Sequence, residues 1–231
     1  TSLARVAAME RRTVLITGAT RGLGHAIAQT LAPDYDLLIG GRDADTTQRV
    51  AATFPVARPF ICDLADPASV TEAVARLGPL DVVVHSAGVT NRDRIEDLTA
   101  NEWSRVLHLN LIAVAELTRL LLPRLRAQRG HVVTINGGLG LHSGPGWAAY
   151  SASKFGLRAF TDALREEERG MLKVTSIHPG RIDTDMQRTI YELDGRTYHP
   201  SDHLAPHSVA LAVKYALEAG DEAMVEVLQV R

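Results

Sequence analysis

The chain has very little cysteine and no marked excess of charge of either sign. Its single cysteine, Cys62, excludes a disulfide within the chain, and this scarcity is typical of proteins from a reducing cytoplasm. The 231 residues contain 25 Lys and Arg against 27 Asp and Glu, a formal net charge of −2, and no dense basic run. We therefore expect neither a nucleic-acid-binding surface nor one that binds anionic membranes.

Long hydrophobic runs are scarce as well. No apolar stretch approaches the roughly 20 residues that a membrane-spanning helix needs, and residues 1–12 lack the apolar segment of a signal peptide. Residues 1–12 are interpreted as an N-terminal extension or the remnant of a tag, with Met9 as the candidate natural start. With 45% hydrophobic and 23% charged residues, the chain has the composition of a soluble globular protein, which we expect in the cytoplasm.

Short apolar runs alternate with helical segments throughout residues 13–231. Runs such as 14–16 and 82–84 are apolar without interruption, which is typical of parallel strands that are covered on both faces. The sequence therefore predicts a single α/β domain of the doubly wound Rossmann type, with a seven-stranded parallel sheet and helices on both faces.

Two long helices and one long loop complete this prediction. The helices are predicted over residues 101–126, where Pro123 should kink or end the helix, and over residues 147–169. Residues 181–206 show no clear element and are rich in polar and turn residues. A loop of that length in a compact domain is usually a lid or a binding loop.

A glycine-rich turn follows the first predicted strand. Glycine suits a backbone that turns sharply and lets a pyrophosphate approach closely, and the next helix offers free N–H groups to the anion. A tight strand-to-helix turn without a ligand is the alternative, but the flanking strand and helix favour a nucleotide site. The residues assigned to this site are Gly18, Thr20, Arg21, Gly22, Leu23 and Gly24.

The end of the second strand bears on the choice of nucleotide. It carries Arg42 and no acidic residue that could hold a ribose 2′-hydroxyl. Arg42 and Arg21 can both donate to a 2′-phosphate, because the planar guanidinium group forms two hydrogen bonds at once. Asp43 weakens this argument, and a solvated surface arginine is the alternative. We expect NADP(H) rather than NAD(H).

Tyr150 and Lys154 lie one helical turn apart and therefore share a face of the predicted helix. A nearby ammonium group favours the phenolate and should lower the pKa of the tyrosine from its ordinary value of about 10. The tyrosine could then pass a proton to or from a substrate oxygen while a hydride moves to or from nicotinamide. A chance pair on a surface helix is the alternative, which the glycine-rich turn disfavours.

Together, residues 17–24 and 150–154 resemble the short-chain dehydrogenase/reductase family, and the similarity extends over about residues 12–231. The resemblance implies that Asn110 is a catalytic residue that holds a water between Lys154 and solvent. A capping or helix-bending role is the alternative for Asn110. The resemblance adds to the cofactor site Asp63, Leu64, Ser86, Ala87, Gly88, Pro179, Gly180 and Thr184, together with Tyr150 and Lys154.

The resemblance fails at Gly137, thirteen residues before Tyr150, where family members carry a serine that hydrogen-bonds the substrate oxygen. Loss of one such donor costs roughly 3–4 kcal/mol of transition-state stabilisation and thereby lowers the rate. Three accounts are open. Turnover continues with weaker positioning of the carbonyl, Asn136 or Ser143 supplies the donor, or the chain is an NADP(H)-binding regulatory protein with little turnover.

The substrate pocket is expected on loops at the carboxyl ends of the strands, within residues 88–98, 139–147 and 183–206. Their mixed composition shows no bias toward large apolar or anionic substrates, and a small-molecule carbonyl or alcohol is what the resemblance implies. The histidine spacing predicts no metal site. Because the two long helices carry more apolar surface than one side of a sheet needs, we expect a homodimer or homotetramer. Candidate substrate contacts are Arg92, Arg94, His142, Trp147, Met186, Tyr191, Tyr198 and His199.

Overall fold

A computed structural model describes residues 11–220 and 222–231, so the predicted extension at residues 1–12 lies almost entirely outside the described residues. Seven strands form one parallel sheet in the order β3-β2-β1-β4-β5-β6-β7. The strand order reverses between β1 and β4, and such a switch point is where doubly wound sheets bind their ligands. The strands are β1 (Thr13–Ile16), β2 (Asp36–Gly41), β3 (Ala57–Ile61), β4 (Val82–His85), β5 (His131–Ile135), β6 (Lys173–Pro179) and β7 (Val227–Val230).

Helices cover both faces of this sheet, which confirms the predicted fold. The side chains of Val14 and Ile16 pack with α1 and α8 on one face, whereas Leu15 packs with α3, α5 and α6 on the other. Successive residues of a strand point to opposite faces, so only a strand with apolar residues throughout can be buried on both. The helices are α1 (Gly22–Leu31), α2 (Ala44–Ala51), α3 (Pro67–Ala75), α4 (Ala100–Leu107), α5 (Ala113–Ala127), α6 (Ala148–Glu167), α7 (Asp185–Leu193) and α8 (Pro206–Leu217).

The first long helix differs from its prediction in the middle. A π-helical turn, His108–Ile112, separates α4 from α5. Pro123 lies inside α5, which continues to Ala127. Pro123 is on the exposed side of this helix, where the carbonyl group that loses its hydrogen-bond donor can be hydrated. Pro123 therefore does not end the helix, which continues to Ala127, one residue beyond its predicted end.

The same segment bears on the membrane prediction. The continuous helical segment Ala100–Ala127 has 28 residues and is long and apolar enough to cross a membrane by length and composition, which the sequence analysis had missed. Leu117, Leu121 and Leu125 of this segment are fully buried in the protein core. A core helix of this kind passes the same test, so the finding is weak evidence for a membrane span.

Residues 181–206 are more ordered in structure than predicted. They contain α7 and a short 3₁₀ turn, Pro200–Asp202, and Ile182 pairs with Leu204 as an isolated parallel bridge. Tyr191, Tyr198 and His203 pack against one another, with ring centroids 4.6–5.2 Å apart. Met186, Ile190 and Leu193 recur at helical spacing in α7, so the sequence does carry a signal for this helix of 9 residues, which the prediction did not use.

Candidate functional site

A cavity of about 1250 Å³ opens at the carboxyl ends of the strands, around the switch point between β1 and β4. Every residue predicted to contact the cofactor lines this cavity, from the glycine-rich turn to Thr184. Asn110 is the one predicted site residue that is not among the lining residues. The sequence spacing therefore brought together side chains and backbone from loops that follow five different strands.

The glycine-rich turn is packed so closely that side chains would not fit. Gly18 has a φ of +65°, and a Cβ atom there would lie 2.9 Å from the Cα of Ala87. Thr17 Oγ1 accepts hydrogen bonds from the backbone N–H groups of Ser86 and Ala87, each at 3.0 Å, which fixes the turn against the loop after β4. Helix α1 begins at Gly22 with no side-chain cap and no acidic residue in its first turn. Its free N–H groups therefore suit a phosphate group.

Two arginines line the cavity near the glycine-rich turn. Arg21 and Arg42 are exposed and line the cavity, and Arg21 lies 3.9 Å from Asp185 in a loose ion pair. Asp43 is turned away, because its carboxylate accepts a hydrogen bond from Thr46 N at 2.9 Å as the cap of α2. The bonds with Thr46 lower the pKa of Asp43. Asp43 therefore serves as the cap of α2, and unlike Arg42 it does not line the cavity.

Tyr150 and Lys154 line the cavity from the first turns of α6. Lys154 Nζ donates to the carbonyl oxygen of Ile135 at 2.9 Å and lies 5.8 Å from the centre of the Tyr150 ring. Burial lowers the pKa of Lys154 from 10.5 to about 8. Burial also raises the pKa of Tyr150 from 10.0 to about 12. The prediction that Lys154 lowers the pKa of Tyr150 is wrong for this chain without a ligand, because desolvation of the phenol dominates.

Asn110 is fully buried beside this pair, within the π-helical turn. Its Oδ1 accepts from Val89 N at 2.8 Å, and its Nδ2 donates to Val89 O at 2.8 Å and to Ser153 Oγ at 3.0 Å. Ser153 Oγ in turn donates to the carbonyl oxygen of Tyr150 at 2.6 Å. Asn110 therefore connects the loop after β4 with the turn of α6 that carries the tyrosine.

Gly137 adopts a backbone conformation that is essentially restricted to glycine, with φ 82° and ψ 165°. A Cβ atom built there would lie 3.9 Å from the hydroxyl oxygen of Tyr150, with no other heavy atom of its surroundings within 4 Å. The position thus faces the tyrosine, as the family serine would. What opposes a serine at this place is the backbone torsion and not the available space.

The two alternative donors are not placed to replace that serine. Asn136 lines the cavity, but it is buried and its Nδ2 donates to Ser176 Oγ at 2.8 Å. Ser143 is exposed and lines a separate depression of about 310 Å³. This arrangement of the loop therefore disfavours the account in which Asn136 or Ser143 supplies the donor, because the Asn136 amide donates to Ser176 and Ser143 lies outside the main cavity.

His178 is a residue of this site that the sequence analysis missed. It is buried, and its Nδ1 lies 3.1 Å from the carbonyl oxygen of Gly137 while its Nε2 lies 2.8 Å from Ser176 Oγ. Because a carbonyl group only accepts, we assign the proton to Nδ1, and Ser176 then donates to Nε2. Burial is the main cause that lowers the pKa of His178. The only signal in the sequence was a histidine directly before Pro179.

The predicted substrate contacts divide into four groups. Met186 lines the main cavity, whereas Arg92, His142 and Trp147 line the second depression. Tyr191 and Tyr198 belong to the aromatic cluster of residues 181–206. Arg94 forms an exposed ion pair with Glu96 at 2.6 Å, and His199 accepts at its backbone oxygen from His203. Within the part of the chain that the structure describes, no group of three His, Cys, Asp or Glu side chains could hold a metal ion.

Comparison with known proteins identifies the family. The family model described as short chain dehydrogenase matches residues 12–194. The mouse protein dehydrogenase/reductase SDR family member 7B is 34% identical over 204 residues, which is 82% of this chain and 63% of the relative, so the chain spans less than two thirds of its length. The 3-oxoacyl-[acyl-carrier-protein] reductase FabG of Escherichia coli is 31% identical over 190 residues, 78% of each chain.

Solved structures agree with this family. The alcohol dehydrogenase of the archaeon Thermococcus sibiricus, in complex with 5-hydroxy-NADP, superposes with a TM-score of 0.86 and 27% sequence identity. The match covers 96% of this chain and 97% of that one. The chain with the glycine-rich turn, Tyr150, Lys154 and Gly137 described above therefore belongs to the short-chain dehydrogenase family of oxidoreductases.

Proposed function

We propose that the chain is an NADP(H)-dependent oxidoreductase that transfers a hydride between nicotinamide and a carbonyl or alcohol carbon. The observation that carries the proposal is that Tyr150 and Lys154 line the same cavity as the glycine-rich turn. A nucleotide held by the turn and a carbonyl held by the tyrosine would thus share one space. When bound, the cofactor supplies or accepts the hydride.

The residues present fit a dinucleotide with a 2′-phosphate. A Cβ atom at Gly18 would collide with Ala87, so only glycine lets the turn pack against the loop after β4, and the uncapped start of α1 suits the pyrophosphate. Arg21 and Arg42 would hold the 2′-phosphate. Asp43 caps α2 through its Oδ1 and does not line the cavity, which disfavours a role in holding a 2′-hydroxyl. The bound 5-hydroxy-NADP of the Thermococcus relative supports the same preference.

Tyr150 is the proton donor in this proposal. With a pKa near 12 it is protonated at neutral pH, so it can donate to a carbonyl oxygen that gains electrons. Lys154, with a pKa near 8, is mostly charged at pH 7 and stabilises the phenolate that this transfer leaves behind. Its remaining N–H groups would hold the hydroxyls of the nicotinamide ribose, as in the family. Asn110 would position this turn of α6, and the water that the resemblance implies stays a prediction.

A regulatory NADP(H)-binding protein is the second candidate, and Gly137 is the observation that favours it. No hydroxyl at position 137 helps Tyr150 to hold the substrate oxygen. We prefer the enzyme, because loss of one donor out of several weakens catalysis without abolishing it.

We also propose a cytoplasmic homodimer or homotetramer. Exposed apolar side chains on the two long helical segments, Ile112 and Phe155, support a contact between copies of the chain, as do Tyr215 on α8 and Val227 on β7. The single cysteine is buried and free, which fits a reducing compartment.

NADPH oxidation with a panel of aldehydes and ketones tests the enzyme directly. We expect Tyr150→Phe to lower kcat by about 10²–10⁴-fold, because it removes the general acid, while NADPH still binds. Tyr215→Phe is the matched control, since Tyr215 is 65% exposed on α8 and should keep the wild-type rate. A wild-type chain that binds NADPH but reduces no member of the panel would instead support the regulatory protein.

A further inference from the structure

Arg92 joins three segments beside the substrate end of the cavity, by which we mean the part that Tyr150 and Met186 line. It lies in the loop after β4, and its Nε donates to Asp194 Oδ1 at 3.0 Å while its Nη2 donates to Asp194 Oδ2 at 3.4 Å. Its Nη1 donates to the carbonyl oxygen of Pro145, in the turn before α6. The guanidinium carbon lies 4.9 Å from the centre of the Trp147 ring. All three nitrogens of this side chain therefore have a protein partner.

The surroundings of Arg92 are built to accept it. The side chains of Arg92 and Asp194 are 24% and 19% exposed, whereas those of the neighbouring pair Arg94 and Glu96 are 79% and 68% exposed. Ion pairs at exposed sites contribute little to stability. A partly buried, bidentate pair fixes the relative position of its two side chains more strongly. Gly146 has a φ of +78°, and a Cβ atom there would overlap Arg92 Nη1. A side chain at position 146 would therefore require the end of the Arg92 side chain to move.

The contacts of Arg92 with Asp194 and Pro145 form a clamp. Two connections lead from this clamp to the catalytic groups. The Trp147 ring, over which Arg92 lies, has its centroid 5.8 Å from that of Tyr150, at an angle of 59°. Trp147 also stands directly before α6, and its carbonyl oxygen accepts from Ser151 N at 2.7 Å. Asp194 ends α7, the helix that contributes Met186 to the cavity wall.

We propose that Arg92 is a positioning residue that fixes Tyr150 through Trp147 and holds α7 over the substrate end of the cavity through Asp194. This inference rests on the proposed function in so far as Tyr150 is the proton donor. It also changes the expected role of Arg92, since a guanidinium group engaged by Asp194 and Pro145 has no free fork for a substrate carboxylate. In this proposal Arg92 orients Tyr150 and α7 and does not bind the substrate.

Kinetics of Arg92→Met test the proposal, because this variant keeps much of the side-chain length and removes the charge and the donors. We expect kcat to fall and KM for the carbonyl to rise, together by about 10–100-fold in kcat/KM, since a shift of the reacting groups by about 1 Å has this effect. The Kd of NADPH should stay within about twofold, because Arg92 does not line the main cavity. Arg94→Met is the matched control on the same loop, with unchanged kinetics expected.

Two further measurements separate positioning from general loss of stability. Trp147 becomes the only tryptophan in a Trp103→Phe background, because the chain contains 2 tryptophans. In that background, Arg92→Met should shift the Trp147 emission, and Arg94→Met should not. Asp194→Asn should increase hydrogen exchange in α7 and leave the Trp147 emission nearly unchanged, since it frees only one end of the clamp.

The outcomes distinguish this inference from the proposed function. If Arg92→Met and Asp194→Asn leave kinetics, Trp147 emission and exchange of α7 at wild-type values, Arg92 positions nothing and the inference is overturned. If the wild type reduces no carbonyl but Arg92→Met still changes emission and exchange, the clamp stands and the proposed function fails. Should Arg92→Met not fold, Arg92→Lys, which keeps the charge and loses the fork, provides the same comparison.

Discussion

Replacement of Lys154 by methionine should stabilise the protein at neutral pH while it abolishes turnover. Burial lowers the pKa of Lys154 from 10.5 to about 8. At about 1.4 kcal/mol for each factor of ten in the ionisation constant, the charged lysine is about 3 kcal/mol less favourable in the folded chain than in the unfolded one. Methionine has no charge to desolvate and nearly the same shape.

The gain is reduced by the hydrogen bond that is lost. Lys154 Nζ donates to Ile135 O at 2.9 Å, and leaving that carbonyl without a donor is expected to cost about 1 kcal/mol. The net effect is therefore about 2 kcal/mol in favour of Lys154→Met, or about 4–8 °C in Tm for a chain of this size. Thermal unfolding without cofactor at pH 7, followed by circular dichroism, measures it.

The pH dependence provides the sharper check. Below about pH 8 Lys154 is charged in both states, so the penalty is fully present; above about pH 10.5 it is neutral in both, and the penalty is gone. The advantage of Lys154→Met should therefore disappear as the pH rises from 8 to 10.5. Lys214→Met is a control of opposite sign, because Asp34 and Glu218 raise the pKa of Lys214. A Lys154→Met protein that is less stable at pH 7, or whose advantage does not change over this interval, would refute the reasoning.

Two further predictions concern the hydroxyl and the phosphate. Gly137→Ala and Gly137→Ser should both lower stability by about 1–3 kcal/mol, measured by urea unfolding, because each places a side chain at a φ of 82°. If the missing hydroxyl limits turnover, Gly137→Ser should exceed Gly137→Ala in kcat, and equal rates would exclude that explanation. Arg42→Ala should weaken NADPH binding by about 10–100-fold in a fluorescence titration, the equivalent of one charged hydrogen bond, and leave NADH unchanged. An unaltered preference for NADPH would contradict the role of Arg42.

The fold could be predicted because its signals are local and repeated. Uninterrupted apolar runs such as residues 82–84 alternate with helices that carry their own start signals, for example Asp66 before Pro67. The same pattern explains why the residues predicted to bind the cofactor lie together, since the carboxyl ends of parallel strands meet at one edge of the sheet. The sequence pattern was therefore enough to predict that the glycine-rich turn and Tyr150 line one cavity.

The rest depends on contacts between distant segments. The torsion of Gly137 and its support by His178 are set by the pairing of β5 with β6, which spacing alone does not reveal. The direction in which the pKa of Tyr150 moves depends on how much burial opposes the charge of Lys154, and burial is a property of the packed structure. The clamp at Arg92 spans 102 residues to Asp194, so no local pattern indicates it.

The central claim is that this cavity transfers a hydride to a carbonyl carbon with Tyr150 as the proton donor. NADPH that carries deuterium at both positions of nicotinamide C4, incubated with the most reactive carbonyl of the panel, tests it by mass spectrometry of the product. We predict deuterium on the new alcohol carbon with the wild type and a loss of about 10²–10⁴-fold with Tyr150→Phe. An alcohol without deuterium, or the same labelling rate in Tyr150→Phe, would contradict it.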